Sequence, residues 1–70
     1  MEYTEVTSTN VFGVGYDLGS CTLLVDFLNG SQYLYFEVPP DLADGLVNAD
    51  SVGGYLAKHI KGKYEYRRLR

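Results

Sequence analysis

The stretch Thr22 to Pro39, TLLVDFLNGSQYLYFEVP, sets an Asn-Gly pair between two alternating runs, and no other feature constrains the chain as tightly. Leu23, Val25 and Phe27 alternate before the pair and Tyr33 and Tyr35 after it, which is the pattern of an antiparallel hairpin at the centre of a sheet. Two registers compete. A two-residue type I′ turn pairs Leu28 with Ser31, sets Val25 opposite Leu34 and Leu23 opposite Phe36, and sends both tyrosines to the other face. A three-residue loop, Leu28-Asn29-Gly30 with Gly30 left-handed in a bulge, pairs Phe27 with Ser31 and sets Val25 opposite Tyr33 and Leu23 opposite Tyr35. One residue of slip exchanges the faces, so the chain adopts one register or the other.

Seventy residues suffice for one domain, read as residues 1–70, with a thin core, because a chain this short buries only about 60% of the surface its unfolded form exposes. Seven Tyr and three Phe supply much of that burial, so disorder is excluded. A single cysteine, Cys21, cannot form an internal disulfide, and a small chain without one fits a reducing compartment, so a cytoplasmic location is expected. The longest apolar runs fall far short of the roughly 18 residues of a membrane span, and the N-terminal residues lack the character of an export leader. Residues 58–70 hold all six basic residues against Glu65 alone, a net +5, whereas residues 1–57 carry eight acids and no base, a net −8. Such a two-ended molecule suits an anionic partner, or an acidic body complemented by its own tail.

Around the hairpin, residues 1–10 are polar and read as a lead-in, with residues 1–5 and the last few expected to fray. Val11 to Tyr16 reads as a first strand at an edge, interrupted by Gly13 and Gly15, which mark a bulge or a close backbone approach. Cys21 reads as a small buried hydrophobe at the start of the second strand. After Val38, Pro39-Pro40 ends the third strand, and Pro40 or Asp41 opens a short helix through Leu46 and Val47 that Gly45 weakens. Ser51 is a natural N-cap for a longer helix in which Val52, Leu56 and Ile60 form an apolar stripe, with Gly62 at its C′ position. The tail, Lys63 to Arg70, alternates as a last strand or an extended arm. The expected architecture is α+β: a three-stranded antiparallel meander, one short and one longer helix on one sheet face, and a basic C-terminal tail.

Chemistry is sparse. His59 stands alone and a Ser-His-Asp or Cys-His arrangement has no cleft to sit in; one Cys and one His do not make a structural zinc site, and the acids lack metal-loop spacing. No enzyme activity, metal or cofactor is expected. Gly53-Gly54 behind Ser51 could receive an anion on free N–H groups, or simply permit close packing. The sharper signal is Tyr64-x-Tyr66 among Lys58, Lys61, Lys63, Arg67, Arg68 and Arg70, because bases stack on rings while cations meet phosphates. A second is the strip Leu24, Leu28, Leu34 and Phe36, which the bulged register leaves on the far sheet face as a surface for a second copy or another protein.

The order Gly15-Tyr16-Asp17, Leu23-x-Val25-x-Phe27-x-Asn29-Gly30, Tyr33-x-Tyr35-x-x-Val38-Pro39, Ala49-x-Ser51-x-Gly53 and Ile60-x-x-x-Tyr64-x-Tyr66 resembles the KTSC family over about residues 6 to 68. That small domain is named for its occurrence at the C-terminus of some lysyl-tRNA synthetases and also stands alone. The resemblance implies a non-catalytic module with RNA as the partner the synthetase attachment points to. It also implies the bulged turn and inward tyrosines, because the family keeps positions like Leu23, Val25, Tyr33 and Tyr35 apolar or aromatic and positions like Leu24, Leu28 and Leu34 charged. The present chain departs in placing leucine at those outward positions and in its acidic body. Two functions are therefore expected in competition: weak, salt-sensitive and largely sequence-tolerant nucleic-acid binding through the basic end, or protein interaction through the leucine strip.

Overall fold

A computed structural model describes residues 2–70. Five strands run β1 (Glu2–Glu5), β2 (Val11–Asp17), β3 (Thr22–Phe27), β4 (Gln32–Tyr35) and β5 (Tyr66–Arg68), with α1 (Pro40–Val47) and α2 (Val52–His59) between the last two. All neighbours are antiparallel and the sheet order is β1-β2-β3-β4-β5, so β3 is the central strand.

The hairpin takes the bulged register. Leu23 pairs with Tyr35 and Val25 with Tyr33. The Phe27 N–H donates to the Ser31 carbonyl at 2.9 Å and the Gly30 N–H to the Phe27 carbonyl at 3.0 Å. Gly30 has φ +92°, a conformation that costs glycine little and other residues more. The Asn29 Oδ1 accepts from both the N–H and the hydroxyl of Ser31, which holds the loop from inside. Leu23, Val25 and Tyr35 thereby join Val14 and Val11 under the helices. Val11 and Val14 are an odd number of residues apart, and both reach the core because a bulge between Val11 and Gly13 resets the alternation.

The helices close the core. Pro39 and Pro40 open α1, and Ser51 caps α2 by accepting the Gly54 N–H at 3.1 Å. Ala43 and Leu46 from α1, Val52 and Leu56 from α2, and Ile60 just beyond it are buried against the inner face. The Tyr55 ring of α2 lies where any side chain at Gly45 would stand, so the residue that weakens α1 also lets the helices meet. The Tyr16 hydroxyl donates to the Val38 carbonyl at 2.6 Å, tying β2 to the segment that leads into α1; burial pushes this phenol up to about 12.

Three expectations are corrected. Among the described residues the sheet has five strands and not three: the polar lead-in forms β1, which puts β2 inside the sheet and not at its edge, and the tail takes the strand form of its two readings as β5. The second helix matches the first at eight residues each, since the Leu56 carbonyl accepts from both Ile60 and Lys61 and the chain unwinds before left-handed Gly62 (φ +78°). Cys21 is half-buried at φ 54° in the turn ahead of β3, where its carbonyl accepts the Val38 N–H at 2.9 Å.

β1 holds on through a contact that its own sequence does not announce. Tyr3 pairs with Gly15, and its ring crosses β2 over Gly13 so that the hydroxyl donates to Asp26 on β3 at 2.7 Å. A Cβ at Gly13 would collide with that ring. Gly13→Ala is therefore expected to lose about 1–2 kcal/mol of stability and to release β1. Amide exchange should accelerate across residues 2–5 first, and the same substitution in a Tyr3→Ala background should cost far less.

Candidate nucleic-acid interface

β5 decides what the tail can do. It pairs Tyr66 with Tyr35, Arg67 with Leu34 and Arg68 with Tyr33, so alternate residues face opposite sides of the sheet. Tyr66 and Arg68 share the helix side with the hairpin tyrosines. Arg67 goes to the far side. A run that looks uniformly basic in sequence is thus split between two surfaces.

On the helix side, α1 and α2 leave the turn end of the hairpin uncovered, and an aromatic cluster forms there. Tyr33 meets Phe27 edge-on with centroids 5.6 Å apart and lies 5.7 Å from Tyr66, which is in turn 6.0 Å from Tyr35. Tyr35 is the anchor at 3% exposed, and its burial raises the phenol above its ordinary value; Tyr66 is the platform at 61% exposed. Two cations sit on this cluster. The Lys61 ammonium lies 5.4 Å from the centre of Phe27 and the Arg68 guanidinium 5.9 Å from that of Tyr33, both within cation–π range.

The cluster floors a groove of about 810 Å³. Across β3 from β4 and β5, its other wall is Thr9 and Asn10 from the β1–β2 loop, with Asn29 and Ser31 from the hairpin turn. The Leu28 N–H donates to the Asn10 carbonyl at 2.8 Å and binds loop to turn. Ser8 Oγ accepts the N–H groups of Asn10 and Val11, which fixes the loop's shape.

The residues singled out in the sequence are therefore distributed. Lys61 and Tyr66 line the groove, and Arg68 lies over the ring of Tyr33, which lines it too. Tyr64 is half-buried and packed against the core, so it is support and not a stacking surface. Lys58, Lys63, Arg67 and Arg70 are exposed, Arg67 on the far face. Leu24, Leu34 and Phe36 are half-buried on that far face, on which neither helix packs; Leu28, in the strip expected from sequence, instead sits in the turn at 54% exposed and lines the groove. Phe27 was missed as a site residue, and its signal was its place beside the turn. His59 packs on Tyr55 with ring centres 4.5 Å apart, and among the described residues no cluster of His, Cys, Asp or Glu could hold a metal ion. The Asn10 side chain lies against Gly53, so that glycine admits a neighbouring chain segment. No helix of the described residues is long and apolar enough to cross a membrane.

Fold and groove together define a small α+β domain with one aromatic, basic recess at the sheet's turn end. The KTSC domain model matches residues 7–64, and the chain belongs to that family. A lysine–tRNA ligase from Nostoc punctiforme is 43% identical over 54 residues, which cover 77% of this chain and 10% of the ligase. This chain thus spans about a tenth of the length of such ligases. A protein from Stutzerimonas stutzeri is 33% identical over 70 residues, covering 99% of both chains. The crystal structure of a KTSC domain protein from Yersinia pestis superposes with a TM-score of 0.90 at 28% identity, over 99% of this chain and 97% of that one.

The different burial of the two tail tyrosines has a measurable consequence. Tyr64→Ala is expected to cost about 2 kcal/mol by leaving a gap beside the core, and Tyr66→Ala under about 1 kcal/mol, the scale of a cross-strand contact. Thermal denaturation of the two variants distinguishes them.

Proposed function

We propose that this domain binds nucleic acid, RNA foremost, through the groove at Tyr66. The observation that carries the reading is the exposed Tyr66 ring on an aromatic cluster whose two cationic positions are already filled by Lys61 and Arg68. Empty, such a cluster would suit a quaternary ammonium; with its own cations in place it repels one. It suits a ligand that is planar and anionic at once, and a nucleotide is both. The 43% identity to a segment of a protein named as a tRNA ligase supports RNA within that class. Binding is weak, because few cations converge on the groove and the body of the chain is acidic.

Titration with single-stranded RNA at low salt tests the proposal. Amide and ring signals of Phe27, Lys61, Tyr66 and Arg68 should shift together, and affinity should fall with salt with a logarithmic slope of roughly −1.4 for two phosphate contacts. Unmoved signals at those four residues at saturating RNA would reject it.

A second reading has its own support. Leu24, Leu34 and Phe36 share the sheet face opposite the helices, an apolar surface suited to another protein or a second copy. Sedimentation at high concentration should then show association that Leu34→Glu abolishes. A monomer throughout removes the self-association form of this reading.

A further inference from the structure

Among the described residues that line the groove, Lys61 alone carries a charge, and its ammonium is already engaged on an aromatic face. We propose that Lys61 gates the groove. In the free protein its ammonium covers a face of Phe27, and a ligand reaches that face only by bringing a phosphate that draws the ammonium away. Lys61 is then the residue that makes the groove prefer nucleotides to uncharged nucleosides. This rests on the nucleic-acid reading of the groove and deepens it.

The backbone sets where Lys61 stands. Beyond α2 the Leu56 carbonyl accepts both the Ile60 N–H at 3.0 Å and the Lys61 N–H at 2.8 Å, and the chain turns away at left-handed Gly62. An exposed ammonium at a helix C-terminus has ready alternatives in solvent and in the last carbonyls. Here it lies over Phe27, 5.4 Å from the ring centre. Tyr33 meets the same ring edge-on, at an interplanar angle of 84°, so Tyr33 and Lys61 both stand against Phe27.

Space then makes a base and the ammonium alternative occupants of that face. A base stacked on Phe27 would lie about 3.4 Å above the ring, and its own thickness would fill the place the ammonium holds. An uncharged base must displace the cation and recovers nothing from it. A nucleotide brings its own anion. The ammonium exchanges the ring for a phosphate oxygen, a charge-assisted bond stronger than the cation–π contact it replaces, and the vacated face is open to the base. No carboxylate is among the described residues that line the groove, so no acid of the groove itself competes for the ammonium. The flexible stem of Lys61 makes this exchange without moving the backbone.

Uridine monophosphate and uridine present the same base with and without the phosphate, and shift titrations of the full chain compare them. In the free protein the ε-methylene protons of Lys61 should be displaced upfield by the Phe27 ring. Saturating uridine monophosphate should return them to their ordinary position while the Phe27 ring signals move. Lys61→Ala removes an exposed side chain, and its melting temperature confirms the fold. It should raise affinity for uridine about two- to fivefold, the scale of one exposed cation–π contact, and lower affinity for uridine monophosphate. Lys61→Arg should keep the preference for the monophosphate, because a guanidinium also rests on rings and bonds phosphate. A lysine that was only a phosphate contact would behave otherwise: its loss would weaken the monophosphate and leave uridine unchanged. That result, or ε-methylene protons that stay ring-shifted in the monophosphate complex, would overturn the gate and leave nucleic-acid binding standing. Failure of both uridine monophosphate and single-stranded RNA to move any groove signal would remove both.

Discussion

A slip of β4 against β3 by one residue would bring Leu34 and Phe36 under the helices and send Tyr33 and Tyr35 to the opposite face. The three-residue turn prevents this, and most of the molecule depends on it. Gly30 in the left-handed region and the double acceptance at Asn29 Oδ1 define the turn. With Tyr35 inward, α1 and α2 have an aromatic anchor to pack against. Tyr33 comes to lie beside Phe27, and Tyr66 finds both hairpin tyrosines when β5 arrives. Core and groove are two ends of one face, and the same register makes both.

The hairpin was legible in the sequence because its information is local: an alternating run, a turn dipeptide, another alternating run. Helix starts were legible for the same reason, since Pro40 and Ser51 act within one turn of where they stand. β1 was not, because Glu-Tyr-Thr-Glu shows no apolar alternation and its attachment comes from Tyr3 reaching across a neighbouring strand. The glycines of β2 did signal a close approach, yet nothing local could name Tyr3 as the partner. The groove was half legible. Tyr66 and its basic neighbours stood out in the tail, but whether Tyr64 or Tyr66, Arg67 or Arg68, would face the aromatic cluster depended on the pairing of β5 with β4. Phe27 joins the candidate site only because the fold brings its strand end beside Lys61, a cation the basic tail had already marked.

The far face reads differently. Leucine at positions 24 and 34 follows from neither core packing under the helices nor the groove, and both side chains are half-buried by the sheet itself. Because β5 alternates, the tail serves both surfaces at once, Arg67 beside Leu34 and Arg68 above Tyr33.

Strands β1 to β4 are each joined to the next by a short connection, whereas β5 returns only after both helices have been laid down. It is three residues long and its side chains are exposed, so it belongs to the part of the fold that opens most readily. The most exposed ring of the aromatic cluster thus rides on the strand that comes last in the chain. Detaching β5 would take Tyr66 and Arg68 away from the recess together. Under the proposed function, occupancy of the recess and closure of the sheet would be coupled equilibria, and a ligand held on Tyr66 would act as the latch for the final strand.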